Sequence, residues 1–161
     1  MQTRSPSPRD RETLVQLVAP EHGSPFRPEE VSCALELLAA VLDPPDGNTY
    51  EARVLVEHDD VPVSYACFGK TPMTDATFDL YWLITAADHR GRGVGAALLV
   101  DVEEELRERG ARTLRVETSS LEGEGGARRF YLRAGYEEVG RIADFYRPGD
   151  DLVTLAKRLN P

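Results

Sequence analysis

The chain has few cysteines and no long apolar run, and both shortages limit what it can be. Its two cysteines are Cys33, in a helical pattern, and Cys67, in a strand pattern. Isolated cysteines are more often small buried hydrophobic residues, although one disulfide between them stays open as an alternative. No stretch approaches the roughly 18 apolar residues of a membrane-spanning helix, and the N-terminus lacks the apolar segment of a signal peptide. We therefore expect a soluble protein of the reducing cytoplasm.

Basic residues and histidines are also scarce. The 19 lysines and arginines are outnumbered by 28 aspartates and glutamates, which gives a net charge of −9. This balance argues against a nucleic-acid-binding face, which needs clustered basic residues, and mildly favours cationic or amine-bearing ligands. The three histidines, His22, His58 and His89, have no metal-ligand spacing. We expect no nucleic-acid partner, no membrane partner and no metal.

The length of 161 residues fits one domain. We expect a flexible N-terminus over residues 1–9, which are rich in serine, proline and arginine, and a single domain over residues 10–161. Apolar periodicity predicts one helix that follows Asp10 as N-cap, and a second that starts near Pro28. The later elements predicted by periodicity are strands 50–58, 61–68 and 77–85, helix 94–109, strand 114–118, helix 126–134, and strands 136–143 and 152–158.

A glycine-rich loop joins strand 77–85 to helix 94–109. It reads Arg90-Gly91-Arg92-Gly93-Val94-Gly95. Three glycines at every second position leave the backbone bare, so a ligand can approach it closely. The helix start that follows offers unpaired N–H groups and a positive dipole end, which suit a phosphate or pyrophosphate. The loop by itself fits several nucleotide-like ligands.

One of these ligands is a dinucleotide. Gly91, Gly93 and Ala96 satisfy the relaxed Rossmann fingerprint, and Glu117 lies at a suitable distance downstream to bind a ribose. However, the polar segment 86–90 separates the strand from the first glycine, and an antiparallel meander precedes it instead of repeated βα units. A Walker A loop is excluded because no Lys-Ser or Lys-Thr follows the glycines.

The loop resembles motif A of the GNAT superfamily of acyl-CoA-dependent N-acyltransferases, Arg/Gln-x-x-Gly-x-Gly/Ala between a strand and a helix. Arg90, Gly93 and Gly95 occupy its three defining positions. The segment 127–136, Ala-Arg-Arg-Phe-Tyr-Leu-Arg-Ala-Gly-Tyr, resembles motif B of that family. The likeness covers residues 10–159. It implies an α+β GNAT fold, with a mixed, mostly antiparallel sheet of about six to seven strands, splayed between its two central parallel strands and flanked by about four helices.

The resemblance also implies a site for acetyl-CoA as co-substrate. The loop would wrap the coenzyme A pyrophosphate, and the pantetheine arm would lie between the splayed strands, paired like an added strand. The coenzyme A-binding residues it implies are Leu83, Ile84, Thr85, Arg90, Gly91, Arg92, Gly93, Val94, Gly95, Ala96 and Tyr131. Tyr131 matches the position that many members use as general acid, because a phenol stays protonated until the thiolate leaves. The alternative is that Tyr131 only packs in the core.

The general base is less well defined. Asp79 and Glu117 lie on the two central strands, where either carboxylate could take the proton of the incoming amine. Strict alternation predicts that one face of strand 77–85 carries Asp79, Tyr81, Leu83 and Thr85. The alternative for each acid is a structural or solvated carboxylate, which is the more common case. Of the two, Glu117 is slightly favoured as the base, because it lies near the end of a strand at the expected cleft.

The chain departs from the family pattern before motif B, where a common asparagine is missing. Ser119, Ser120 and Glu124 are the polar residues that could replace it. On the acceptor side, the segment 144–151 is aromatic and acidic, and could hold a cationic amine or be a solvated hairpin turn.

The resemblance predicts an N-acetyltransferase that moves an acetyl group from acetyl-CoA to a primary amine, with a small-molecule acceptor favoured over a protein tail. The family likeness also allows a homodimer. One alternative is a non-catalytic acyl-CoA-binding module on the same fold. Another is a dinucleotide-binding protein that uses Gly91, Gly93 and Ala96.

Overall fold

The structure, a computed structural model, describes residues 1–121 and 126–160. A seven-stranded sheet runs through it, with helices on both faces. The strands are β1 (Gln2–Arg4), β2 (Tyr50–Val56), β3 (Pro62–Lys70), β4 (Thr77–Thr85), β5 (Thr113–Ser119), β6 (Glu137–Arg147) and β7 (Asp150–Arg158). The α-helices are α1 (Arg11–Val18), α2 (Pro28–Leu42), α3 (Val94–Glu108) and α4 (Ala127–Arg133).

The strands are arranged in the order β1-β2-β3-β4-β5-β7-β6. Among the strands of the two described ranges, only β4 and β5 run parallel to each other. This mixed, mostly antiparallel sheet confirms the predicted fold class. The dinucleotide alternative is not supported, because a doubly wound fold repeats the parallel βαβ unit, whereas here β4, α3 and β5 form a single one.

The N-terminal segment contains a strand that periodicity missed. The sequence predicts flexibility over residues 1–9, but Gln2–Arg4 pairs antiparallel with β2 at the edge of the sheet. The Arg4 guanidinium donates to both carboxylate oxygens of Asp10, at 2.8 and 2.9 Å. Asp10 precedes α1 as predicted, but its side chain makes no capping hydrogen bond to that helix. Three residues are too few to show an alternating pattern, so the strand leaves no periodic signal.

Two hydrophobic cores lie on opposite faces of the sheet. On one face, α1 and α2 pack over β2, β3 and β4, with Leu14 and Leu38 fully buried between them. On the other face, α3 packs against β2, β3 and β4, and α4 packs against β5 and β6. Across the described parts of the chain, no helix is both long and apolar enough to cross a bilayer.

The two parallel strands separate before they end. Their register runs from Thr77 opposite Thr113 to Leu80 opposite Val116, and no further pairing between them follows. The remaining parts, residues 81–85 of β4 and 117–119 of β5, diverge and leave a V-shaped gap. This is the splay that the fold class predicts, and it opens in the middle of the sheet.

A β-bulge in β4 stands at the point where the gap begins. Cys67 of β3 lies opposite Trp82 and Phe68 lies opposite Leu80, so Tyr81 has no partner in β3. Because one extra residue reverses the alternation, the predicted shared face of β4 is wrong. Tyr81 and Trp82 both pack on the α1–α2 side, whereas Leu83 packs on the opposite side.

A buried ionic cluster fixes α3 against β7 and α4. The carboxylate of Glu103, which is almost completely buried, accepts hydrogen bonds from Arg107 at 3.0 Å and from Lys157 at 2.7 Å. The Lys157 ammonium also donates to the carbonyl of Ala134, at the end of α4, at 2.8 Å. The cluster therefore joins both helices that lie beside the V-shaped gap.

We expect Glu103→Ala to lower the free energy of unfolding by about 2–3 kcal/mol, because it leaves two partly buried cations without their carboxylate. The matched control is Glu104→Gln, an exposed neighbour on the same helix, which should change stability by less than about 0.5 kcal/mol. Urea unfolding of both variants measures the difference. Equal stabilities would show that the ionic cluster contributes nothing to the fold.

Candidate active site

The glycine-rich loop between β4 and α3 presents bare backbone to solvent. Gly91 and Gly93 have φ angles of +70° and +81°, in the left-handed region that side chains rarely adopt. A Cβ atom placed on either glycine would meet nothing within 4 Å. Both glycines are thus required by their backbone conformation and face open space, where a ligand can approach.

The N-terminus of α3 is open to an anion. Gly93 is its N-cap and has no side chain to cap the helix, and the first turn contains no acidic residue. The N–H groups of a first helical turn have no partner within the helix, and the dipole there is positive. Exposed backbone N–H groups at a helix start are a recurrent binding site for phosphate groups.

Gly95 lets α3 approach the end of β4 closely. A Cβ atom at this position would lie 3.1 Å from the Thr85 hydroxyl oxygen and 3.3 Å from a methyl carbon of Leu83. The Thr85 hydroxyl is itself 2.9 Å from the hydroxyl of Ser64 in β3. The predicted residues Leu83 and Thr85 therefore lie directly beneath the helix start, in the part of β4 that borders the gap.

The side chain of Arg90 donates hydrogen bonds to two backbone carbonyls of the protein. Its Nε donates to the carbonyl of Thr85 at 3.0 Å, and its Nη2 donates to the carbonyl of Gly23 at 2.7 Å. Arg90 thus connects the end of β4 to the segment between α1 and α2. The motif A pattern contains Arg90 but gives no sign of this contact, because its partner Gly23 is far away in the chain.

Tyr131 lies at the centre of α4 and is only 6% exposed. Its ring packs edge-on against Tyr136 with centroids 5.4 Å apart, and the adjacent Phe130 reaches within 3.9 Å of a Cβ atom placed on Gly95. Burial raises the pKa of the Tyr131 phenol above its ordinary value, so the hydroxyl stays protonated at neutral pH.

The two candidate bases have different surroundings. Both oxygens of Asp79, which is nearly buried, accept hydrogen bonds, one from Thr71 at 2.8 Å and one from Arg115 at 2.6 Å. Glu117 pairs with the same Arg115 at 3.3 Å, but 43% of its side chain is exposed. Asp79 therefore holds β4 and β5 together at the closed end of the gap, whereas Glu117 keeps an accessible side.

An aromatic and charged surface adjoins Glu117. The sequence pattern marks only the part of this surface that lies in segment 144–151. Phe26 packs on Trp82 with ring centroids 4.7 Å apart, and the Arg27 guanidinium lies 5.4 Å from the ring centre of Tyr146. Phe26 and Arg27, which precede α2, were missed because no motif marks them. Glu117 contributes to the raised pKa of Tyr146, after burial, so these groups share one electrostatic environment.

The predicted segment 144–151 is partly buried structure and not only a solvated turn. Asp150 is fully buried; it accepts a hydrogen bond from the Ser119 hydroxyl and pairs with Arg147 at 3.3 Å. Ser120 accepts a hydrogen bond from the N–H of Asp151 at 2.9 Å. Both serines suggested in place of the missing asparagine thus hold β7, and Glu124 lies outside the described residues.

Comparisons with known proteins agree on one family. The family model described as Acetyltransferase (GNAT) family matches residues 11–136. A crystal structure of a GNAT-family protein from Desulfovibrio desulfuricans has a TM-score of 0.90 and 35% sequence identity, and 99% of each chain is covered. No curated protein sequence matches the chain.

More distant structures share the fold. An aminoglycoside 6'-N-acetyltransferase complexed with coenzyme A has a TM-score of 0.78 and 17% identity, covering 100% of this chain and 98% of the other. The ribosomal-protein-S18-alanine N-acetyltransferase from Escherichia coli has a TM-score of 0.74 and 18% identity, covering 99% and 94%.

Proposed function

The chain belongs to the GNAT acetyltransferase family, and we propose that it transfers an acetyl group from acetyl-CoA to a primary amine of a small molecule. The observation that carries this proposal is the gap between β4 and β5, which opens beside the bare N-terminus of α3. One end of the site accepts a pyrophosphate and the other reaches an accessible carboxylate. A cytoplasmic location stays a prediction from the sequence.

The donor half of the site binds coenzyme A through backbone groups. N–H groups around Arg92 to Ala96 hold the pyrophosphate at the start of α3. The free edge of β4 at Leu83, Ile84 and Thr85 pairs with the amides of the pantetheine arm, as an added strand would. A backbone N–H of the same strand polarises the acyl carbonyl.

Acetyl-CoA supplies an acyl group activated as a thioester, which a neutral amine attacks directly. Glu117 takes the proton of the incoming ammonium, directly or through a water molecule. As the C–N bond forms and the C–S bond breaks, the Tyr131 hydroxyl donates its proton to the departing thiolate. Burial raises the pKa of Tyr131, so the phenol is protonated when the thiolate forms, but the same shift makes it a weaker proton donor. Asp79 remains a second predicted base, although both its oxygens are engaged.

The acceptor half of the site is lined by aromatic rings and acids. Tyr146 and Trp82 contribute aromatic rings, which Arg27 and Phe26 contact, and Glu117 contributes a carboxylate. Aromatic rings and carboxylates both attract ammonium groups. Two of the structures with this fold are N-acetyltransferases, one of an aminoglycoside and one of an alanine of ribosomal protein S18. We favour a small amine over a protein tail, and a panel of both tests this.

Replacement of Gly93 tests the donor site. Gly93→Ala and Gly110→Ala are a matched pair, since both glycines have a φ of +81° and neither has an atom near its Cβ position. Each variant should lose about 1–2 kcal/mol of stability from backbone strain. Only Gly93→Ala should weaken coenzyme A binding, by about tenfold or more, because its methyl group lies where the pyrophosphate approaches. Calorimetric titration measures both affinities, and equal affinities would reject this loop as the donor site.

Replacement of Tyr131 tests the general acid. Tyr131→Phe should lower kcat by about 100-fold or more, with coenzyme A affinity unchanged, because it removes only the donated proton. The control is Tyr136→Phe, which removes the hydroxyl of the ring packed against it and should leave kcat nearly unchanged. Release of free thiol across an amine panel gives the rates. The alternative is that Tyr131, which is deeply buried, only packs in the core. An unaltered kcat in Tyr131→Phe would support this structural role and reject the general acid.

We further propose a homodimer that forms through β6. This strand lies at the edge of the sheet and is exposed along its length, with Val139, Ile142 and Phe145 all more than half exposed. An exposed edge strand with apolar side chains invites pairing with another strand. Glu138 and Arg141 have opposite charges, so an antiparallel pairing of two copies places each acid near a base of the other.

The β6 proposal predicts that Ile142→Lys weakens self-association by about tenfold or more, because each copy brings an ammonium group into the apolar contact between the two edge strands. Val100→Lys is the control, since Val100 is also an exposed β-branched aliphatic residue but lies on α3. Sedimentation equilibrium of the three proteins distinguishes monomer from dimer. A wild-type chain that stays monomeric at high concentration would refute the proposal.

A further inference from the structure

The segment between α1 and α2, residues 19–27, connects the two halves of the site. At Gly23 it contacts the connection that leads from β4 to the glycine-rich loop. At Phe26 and Arg27 it contacts Trp82 and Tyr146, on the acceptor side. One short segment thus touches both the donor loop and the acceptor surface.

The donor end of this segment is held by close packing and by one charged side chain. Gly23 has a φ of +79°, and a Cβ atom on it would lie 3.0 Å from the Cβ of Ala87. Arg90 donates to the Gly23 carbonyl at 2.7 Å and to the Thr85 carbonyl at 3.0 Å. Hydrogen bonds from a charged donor are about twice as strong as neutral ones, so the guanidinium fixes residues 19–27 relative to the end of β4.

The side chains at the acceptor end of the segment make weaker contacts. Phe26 stacks on Trp82 at a centroid distance of 4.7 Å. The Arg27 guanidinium is 3.5 Å from Glu30 and 3.9 Å from Asp150, with 37% of its side chain exposed. These ion pairs are long and partly screened by solvent. The Arg27 backbone is anchored at the start of α2, where its N–H donates to the Glu30 carboxylate at 2.7 Å, so it is the side chains of Phe26 and Arg27 that can respond to how firmly the donor end is held.

We propose that Arg90 is a positioning residue that couples donor binding to the acceptor surface through Gly23. Coenzyme A bound at the loop restricts residues 90–95. Arg90 transmits that restriction to residues 19–27, which places Phe26 and Arg27 beside the incoming amine. Binding that orders a segment lowers the entropic cost for a second ligand that needs the same order. The inference rests on the proposed donor site but assigns a separate role to the Arg90 guanidinium, which donates to two backbone carbonyls.

Hydrogen exchange with coenzyme A as the probe tests the coupling without any acceptor. In the wild-type protein, coenzyme A should slow amide exchange at residues 91–97 and also at residues 20–27. In Arg90→Met, the protection should remain at 91–97 and be lost at 20–27. The control Arg112→Met replaces an exposed arginine that pairs only loosely with Asp75, at 3.8 Å, and should behave as the wild type.

Each outcome separates the two proposals. Protection of 20–27 that persists in Arg90→Met overturns the coupling, as does wild-type protection confined to 91–97. No protection at 91–97 in the wild type contradicts the donor site itself, and with it the proposed function.

A kinetic arm uses the glycine that Arg90 contacts. Gly23→Ala should raise KM for the amine by about tenfold while KM for acetyl-CoA stays within about twofold, because only the acceptor side of the segment moves. Gly47→Ala is the control, with a similar φ of +77° and no atom near its Cβ position. Arg90→Lys can donate to one of the two carbonyls but not to both at once. Its KM for the amine should therefore lie between those of the wild type and Arg90→Met. Equal changes in both KM values would overturn the coupling.

Discussion

The loss of pairing between β4 and β5 is the constraint on which the rest of the site depends. Two parallel strands in the middle of a sheet normally satisfy each other's backbone groups along their whole length. Here pairing stops after Leu80 and Val116. The backbone beyond this point faces a gap, and a ligand with amide groups can complete the sheet in place of a neighbouring strand.

Contacts at both ends of the gap hold β4 and β5 in place, so the gap is open at one end only. At the closed end, Arg115 bonds to Asp79 across the two strands. At the open end, β4 is held from its other side, since the Ser64 hydroxyl donates to the carbonyl of Ile84 at 2.8 Å. The outer side of β5 is occupied along its full length by β7, from Thr113 to Ser119. Neither strand can move to close the gap without loss of these contacts.

Much of the architecture follows from the sequence by local rules. Apolar periodicity predicts the helices and most strands. The Arg90–Gly95 loop predicts an anion site, because the glycines and the helix start that such a site needs are adjacent in the sequence. A prediction from periodicity assumes strict alternation, so it cannot show that Tyr81 is an extra residue. The bulge becomes visible only from the pairing of β4 with β3. The contact between Arg90 and Gly23 is likewise invisible, since nothing local links two residues so far apart in the chain.

The surroundings of the two candidate bases make Glu117 the proposed one. A carboxylate that is to accept a proton needs a free lone pair and a path for the amine. Asp79 has neither, because Thr71 and Arg115 occupy both its oxygens at the closed end of the gap. Glu117 lies one step along β5, where pairing with β4 has already ended, and its nearest contact with Arg115 is 3.3 Å. Arg115 therefore ties Asp79 into a cross-strand link and leaves 43% of the Glu117 side chain exposed, which is why Glu117 is the base in the proposed mechanism.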